Sequence, residues 1–177
     1  MAYTYNKNNK GIYVFFGVMS LAVFLVSASV LPFLAQTKNF AMPDLALCLV
    51  CILPCFMPVK TACIYALSLG FLCDLFINSP VCFSPVIYLA AVCIMPFFHG
   101  HFSRVGAVTA AVCSIPAFLI RGIAGTAVMI YAYGGENFTG IITAKLLPEL
   151  GVNLACSIVV CAIIFFIVEK SRLKSAK

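Results

Sequence analysis

Five ionisable side chains lie inside apolar stretches or at their edges, and they are the residues most able to do chemistry. They are Asp44, Asp74, Arg121, Glu149 and, more weakly, Lys145. An ionised group in hydrocarbon costs at least about 2.5–3.5 kcal/mol on insertion scales, so each one needs a partner or a purpose. The planar guanidinium of an arginine can bind a carboxylate through two parallel hydrogen bonds. One arginine among three carboxylates therefore predicts a buried ion pair or a contact with a partner or ligand.

Two of the carboxylates occur where apolar segments begin. Asp44 and Glu149 each directly follow a proline at that point. A carboxylate at the start of a helix caps free backbone amides and complements the helix dipole. Capping is therefore the favoured role for both.

Asp74 and Arg121 lie well inside apolar runs, where the sequence suggests no capping role. At a rise of 1.5 Å per residue, Asp74 lies roughly 20 Å and Arg121 roughly 24 Å from the start of its own predicted helix. Because these depths are similar, we expect an ion pair between the third and fifth predicted helices. A contact with a ligand or partner, and snorkelling of the arginine toward the membrane surface, are the alternatives.

The sequence gives little support for catalytic or metal-binding chemistry. His99 and His101 fall in a predicted turn without a nearby acidic residue, which favours solvated histidines over a metal site. Cys48, Cys51 and Cys55 share one helical face with a spacing that resembles cluster ligation, but any packed helix surface shows the same spacing. Phosphate loops, nucleophile elbows and zinc-protease helices do not occur in the sequence. We therefore expect no enzyme activity, no cofactor and no metal.

The composition excludes a soluble domain. Of 177 residues, 64% are hydrophobic and 9% are charged, and the mean hydropathy is +1.13. Soluble domains average about 25% charged residues, and a chain of this size must leave roughly a third of its unfolded surface in water. The net charge is +6, and the basic residues behind it lie in the short gaps between apolar stretches and at the two ends of the chain. This distribution argues against nucleic acid as a partner. The sequence predicts a single all-α membrane domain, a polytopic integral membrane protein.

Charges and turn residues divide the chain into six predicted membrane-spanning helices. These cover about 11–34, 43–59, 61–77, 82–98, 105–131 and 148–168, with 1–10 and 169–177 as tails. Pro54 and Pro58 are expected to kink or fray the second helix, and Pro116 to bend the fifth. The second and third helices are short and are joined at Lys60 almost without a loop, so a re-entrant pair and only four or five spans are the alternatives. The apolar core of a signal peptide is about 7–15 residues long, and the first apolar run of this chain is longer. A membrane span is therefore favoured over a cleaved leader.

Basic residues set the predicted orientation. With six spans and the first tail inside, only Lys38 and Lys145 face the outside. The cytoplasmic set is Lys7, Lys10, Lys60, Arg104, Lys170, Arg172, Lys174 and Lys177. This bias obeys the positive-inside rule and predicts that both termini are cytoplasmic.

Three short motifs occur between residues 43 and 98. They are Pro43-Asp44 at the opening of the second helix, Gly70-Phe-Leu-Cys-Asp74-Leu75 at the close of the third, and the turn Ser79-Pro80. This pattern resembles the MreD family of bacterial rod-shape-determining proteins. The chain length, the short basic N-terminus, the number of spans and the basic C-terminus are also similar to that family.

The resemblance implies a fold like that of the substrate-binding subunits of energy-coupling-factor vitamin transporters. It implies a non-enzymatic subunit of the cell-elongation complex in the bacterial inner membrane, which helps organise peptidoglycan synthesis and cell shape. The implied partners are an MreC-like scaffold and, indirectly, an MreB-like filament and the RodA polymerase with its transpeptidase. The shared fold leaves a second hypothesis, a membrane subunit that binds a vitamin-type small molecule for an uptake transporter.

Overall fold

The computed structural model describes residues 10–35, 43–76, 83–99, 107–133 and 146–175. Within these residues the chain is all-helical, with short connections and no strand. The helices are α1 (Lys10–Ala35), α2 (Leu45–Phe56), α3 (Val59–Phe76), α4 (Phe83–His99), α5 (Ala107–Cys113), α6 (Ile115–Tyr133) and α7 (Leu147–Ser175). The first four begin and end within three residues of the boundaries that the sequence predicts.

Two helix boundaries differ from the sequence prediction. The fifth predicted helix is divided at Ser114, and the expected bend near Pro116 is confirmed as this break. Proline has no N–H to continue the helical ladder, and the Ser114 amide is shared at 3.2 Å between the carbonyls of Ala110 and Ala111. The last helix continues to Ser175 through most of the predicted tail, whose Glu, Lys and Arg residues are good helix formers.

The short helix α2 forms the centre of the bundle. Its side chains from Ala46 to Leu53 are all buried, because α1, α3, α4 and α7 surround it and α5 and α6 add smaller contacts. A helix that is apolar on every side belongs in a core. Its 12 residues extend only about 18 Å, less than the ~30 Å thickness of a hydrocarbon core. Leu53 O accepts the Met57 amide at the end of α2, and α3 begins two residues later.

Four segments are long and apolar enough to cross a membrane. They are Gly11–Ser29, Val59–Phe76, Ala107–Val128 and Leu147–Val168, and α2 and α4 contribute shorter apolar helices. Large apolar side chains cover the outside of the described bundle, among them Val14, Leu75, Phe97, Ile123 and Phe166. An apolar exterior suits a bilayer, so the chain is a helical membrane protein.

The antiparallel helices α3 and α4 pack closely because Gly70 lies where they meet. A Cβ atom placed on Gly70 would lie 2.6 Å from the Cα of Pro85. Small residues at helix interfaces in membranes allow backbones to approach this closely. The glycine of this motif is therefore a packing requirement of the α3–α4 pair.

Candidate functional site

Asp44 caps α2, as the sequence predicts. Its side-chain Oδ1 accepts a hydrogen bond from the Leu47 amide at 2.9 Å, and its carbonyl accepts one from the Cys48 amide at 3.0 Å. Pro43 beside it is buried. An Asp at this position satisfies amides that the first turn of a helix leaves without partners. The carboxylate is thereby fixed at the start of the most buried helix.

The same carboxylate is the ion-pair partner of Arg121. Arg121 Nε on α6 lies 2.8 Å from Asp44 Oδ2, and the exposed fractions of the two side chains are 24% and 7%. The Nε–H is not aligned for a hydrogen bond, so the contact is mainly ionic. The predicted pair between Asp74 and Arg121 is therefore wrong.

A tyrosine and an asparagine complete the surroundings of Asp44. The Tyr88 hydroxyl on α4 donates to the carboxylate, at 3.0 Å to Oδ1 and 3.3 Å to Oδ2. Asn153 Oδ1 on α7 accepts the Asp44 amide at 2.6 Å, and the Asn153 carbonyl lies 3.7 Å from the Cys48 Sγ. Tyr88 and Asn153 are buried. We call Asp44, Tyr88, Arg121 and Asn153 the Asp44 cluster; it joins α2, α4, α6 and α7.

Sequence reasoning missed Tyr88 and Asn153 because it searched for charged groups. One signal was available for Asn153, which is the only amide side chain in the apolar run from Leu150 to Val168. A buried amide must find hydrogen-bond partners, so its presence indicates a polar neighbour on another helix. Tyr88 gives no comparable signal, because tyrosines also occur at membrane interfaces.

Asp74 has a different role from the one predicted. Both of its carboxylate oxygens lie 3.2 Å from the Ser84 amide in the first turn of α4. Asp74 thus caps a helix other than its own, which the sequence cannot show because the capped amide is ten residues away. Ser84 and Tyr88 are four residues apart, so Asp74 and Asp44 hold α4 at successive turns.

The other predicted site residues lie around this cluster or outside the described residues. Glu149 is in the first turn of α7, where it complements the helix dipole. Leu75 faces outward with 75% of its surface exposed. The predicted turn Ser79-Pro80, together with Lys145 and His101, lies outside the described residues.

The chemistry of the Asp44 cluster suits a structural joint. The Asp44 carboxylate offers about four lone-pair positions. The Leu47 amide and the Tyr88 hydroxyl donate to it, and Arg121 makes an ionic contact with it. Arg121 Nη1 is buried and has no hydrogen-bond partner among the described residues. Within the described residues, no group of three or more His, Cys, Asp or Glu side chains is arranged to hold a metal ion. The cluster can therefore join helices and offers one guanidinium nitrogen to a further acceptor.

No protein-family model, curated protein or solved structure matches this chain. What the protein does must therefore be inferred from its own residues. The motif residues around α2, α3 and α4 are the most informative of these.

Proposed function

We propose that the chain is a non-enzymatic subunit of the bacterial cell-elongation complex, of the MreD type. It resides in the inner membrane with both termini in the cytoplasm. Its role is to organise peptidoglycan synthesis through contacts with an MreC-like scaffold, and indirectly with an MreB-like filament and the RodA synthase. The fold class proposed with it is a six-span bundle like the substrate-binding subunits of energy-coupling-factor transporters.

The observation that carries the proposal is that two of the motifs meet in space. Asp44 binds α4 through Tyr88, and Asp74 binds the same helix one turn away through Ser84. Gly70, four residues before Asp74, permits the close approach of α4. Residues that are separate in sequence thus build one α2–α3–α4 unit. If the motifs matched the MreD pattern only by chance, their residues would have no reason to contact the same helix. The fact that they do supports the MreD resemblance.

The exposed end of this unit suits a protein that acts through contacts. Leu75 and Phe76 directly follow the capping residue Asp74 and have 75% and 65% of their surfaces exposed. Because the contact between Asp74 and the Ser84 amide fixes the end of α3 to α4, these two side chains would present an apolar surface in a fixed orientation. We assign this surface to the transmembrane segment of the MreC-like scaffold.

One observation favours the second candidate, a subunit that captures a small molecule for uptake. The buried Arg121 Nη1 lacks an acceptor among the described residues. A buried guanidinium donor without an acceptor is costly. The carboxylate of a vitamin-type ligand would supply the acceptor.

Depletion of the protein in its host, which the proposal expects to be rod-shaped, distinguishes the two candidates. We expect depleted cells to widen and become round in rich medium, and a plasmid copy of the wild-type chain to restore the rod. A plasmid copy of the Gly151→Ala variant is the matched control and should restore it equally, because a Cβ at Gly151 meets nothing within 4 Å. Cells that keep their width and instead require one vitamin would contradict the elongation role and support uptake.

A further inference from the structure

Two aromatic contacts bring α1, α2 and α7 together at one end of the bundle. The Phe56 ring lies 5.6 Å from the Phe16 ring and 5.0 Å from the Phe165 ring, measured between ring centroids. Phe56 is the last residue of α2, and α3 begins three residues later at Val59. The three rings therefore mark a common level, close to where α2 turns into α3.

Basic residues lie at this end of the bundle on α1, α3 and α7. They are Lys10, Lys60, Lys170, Arg172 and Lys174, which we call the basic end. Lys60 is exposed in the first turn of α3. Glu169 is the only acidic residue that the described part of the chain places here. The basic end therefore carries an excess of positive charge.

The apolar part of α7 gives the depth of its basic residues in a bilayer. This part runs over 22 residues from Leu147 to Val168, about 33 Å, which is close to the ~30 Å of a hydrocarbon core. Lys170 and Lys174 follow Val168 by about 3 Å and about 9 Å along the helix axis. The headgroup layer on each side of a bilayer is roughly 5–7 Å thick. The basic residues of α7 therefore extend across this layer to its outer edge.

The first helix places its basic residue in the same layer. Phe165 precedes Val168 by three residues, so the level of the three rings lies about 4–5 Å inside the hydrocarbon. Lys10 precedes Phe16 by six residues along α1, about 9 Å. It is therefore about 4–5 Å outside the hydrocarbon, at the depth of the headgroups.

We propose that the basic end binds the phosphate groups of acidic phospholipids. The positive charges of three helices lie at the depth where those phosphates are, and a basic residue near an anionic membrane surface raises affinity about fivefold. An acidic protein in water would have to reach the same residues past the headgroups. The carboxylates Asp44, Asp74 and Glu149 lie at the opposite end of the bundle, so the preference is confined to one end. The proposal holds for either orientation and does not depend on the elongation role.

Fluorescence quenching by brominated lipid tests the proposal, because the chain contains no tryptophan. Val59→Trp and Leu75→Trp introduce one reporter each, at exposed positions toward opposite ends of α3. The full-length variants are reconstituted in mixtures of phosphatidylcholine and phosphatidylglycerol, with bromine in the acyl chains of one lipid or the other. Quenching by each lipid gives their relative binding constant beside the reporter. We expect about a fivefold preference for phosphatidylglycerol at Val59→Trp and no preference at Leu75→Trp.

Charge-neutral substitutions make the result specific. In the Val59→Trp background, Lys60→Gln should reduce the preference, and Lys60→Gln with Lys170→Gln should abolish it. Lys145→Gln is the matched control, because it removes one positive charge outside the basic end and should leave the preference unchanged. High salt should weaken the preference, since it screens exposed charges. Equal binding of both lipids at Val59→Trp, or a preference that survives the double substitution, would overturn the proposal.

Discussion

Replacement of Asp44 by alanine is expected to lower the free energy of unfolding by about 3–5 kcal/mol, the cost typical of removing one partner of a buried ion pair. The substitution leaves the Arg121 guanidinium without its carboxylate and also removes the acceptor of the Tyr88 hydroxyl. It further removes the cap of α2, the central helix. Reversible unfolding of the purified protein in mixed micelles, followed by circular dichroism, measures the loss.

A double-mutant cycle separates the ion pair from the other contacts of Asp44. Arg121→Ala should also be strongly destabilising, and the double variant should lose less than the sum of the two single losses. Asp74→Ala combined with Arg121→Ala is the matched control, because Asp74 binds Ser84 instead. That combination should be close to additive. Strong coupling of Arg121 to Asp74 and none to Asp44 would contradict the observed pairing.

Replacement of Gly70 by alanine is expected to destabilise the protein by about 1–3 kcal/mol, the range typical of overpacking. The new Cβ would lie 2.6 Å from the Cα and 2.7 Å from the backbone nitrogen of Pro85. Both atoms belong to the backbone of α4, so the whole helix must move to make room. The movement would also strain the Asp74–Ser84 contact. The same unfolding assay measures the effect.

Gly151→Ala provides the matched comparison for Gly70→Ala. Gly151 is also inside a helix, but a Cβ there meets no atom within 4 Å. Alanine is favoured over glycine in a helix interior by roughly 0.5–1 kcal/mol, so Gly151→Ala should be neutral or slightly stabilising. Equal destabilisation by both variants would show that the close approach of α3 and α4 does not matter.

Much of the fold could be predicted from the sequence because charged residues and turn residues mark helix ends in an apolar chain. The bounds of α1 and α4 follow from this marking alone. The break at Ser114 follows from the missing N–H of Pro116. The continuation of α7 to Ser175 could not be predicted from hydropathy, because a helix of charged residues can extend into water beyond the membrane.

The candidate site shows where prediction from sequence fails. Sequence gives the depth of a residue along its helix, and it placed Asp74 and Arg121 at similar depths. It does not give the rotation of each helix about its own axis. That rotation directs Arg121 to Asp44 and directs Asp74 to the Ser84 amide. Helix packing therefore decides which of the two carboxylates pairs with Arg121.

Co-purification from the host membrane tests the proposed role most directly. The full-length chain is tagged at its C-terminus, extracted in mild detergent, and its bound proteins are identified by mass spectrometry. Variants Leu75→Arg and Gly151→Arg are compared with the wild type, since both add a charge to an exposed helix position and only Leu75 lies on the proposed contact surface. We expect an MreC-like scaffold to co-purify with the wild type and with Gly151→Arg, and to be lost with Leu75→Arg. Recovery of transporter ATPase subunits in place of the scaffold would contradict it.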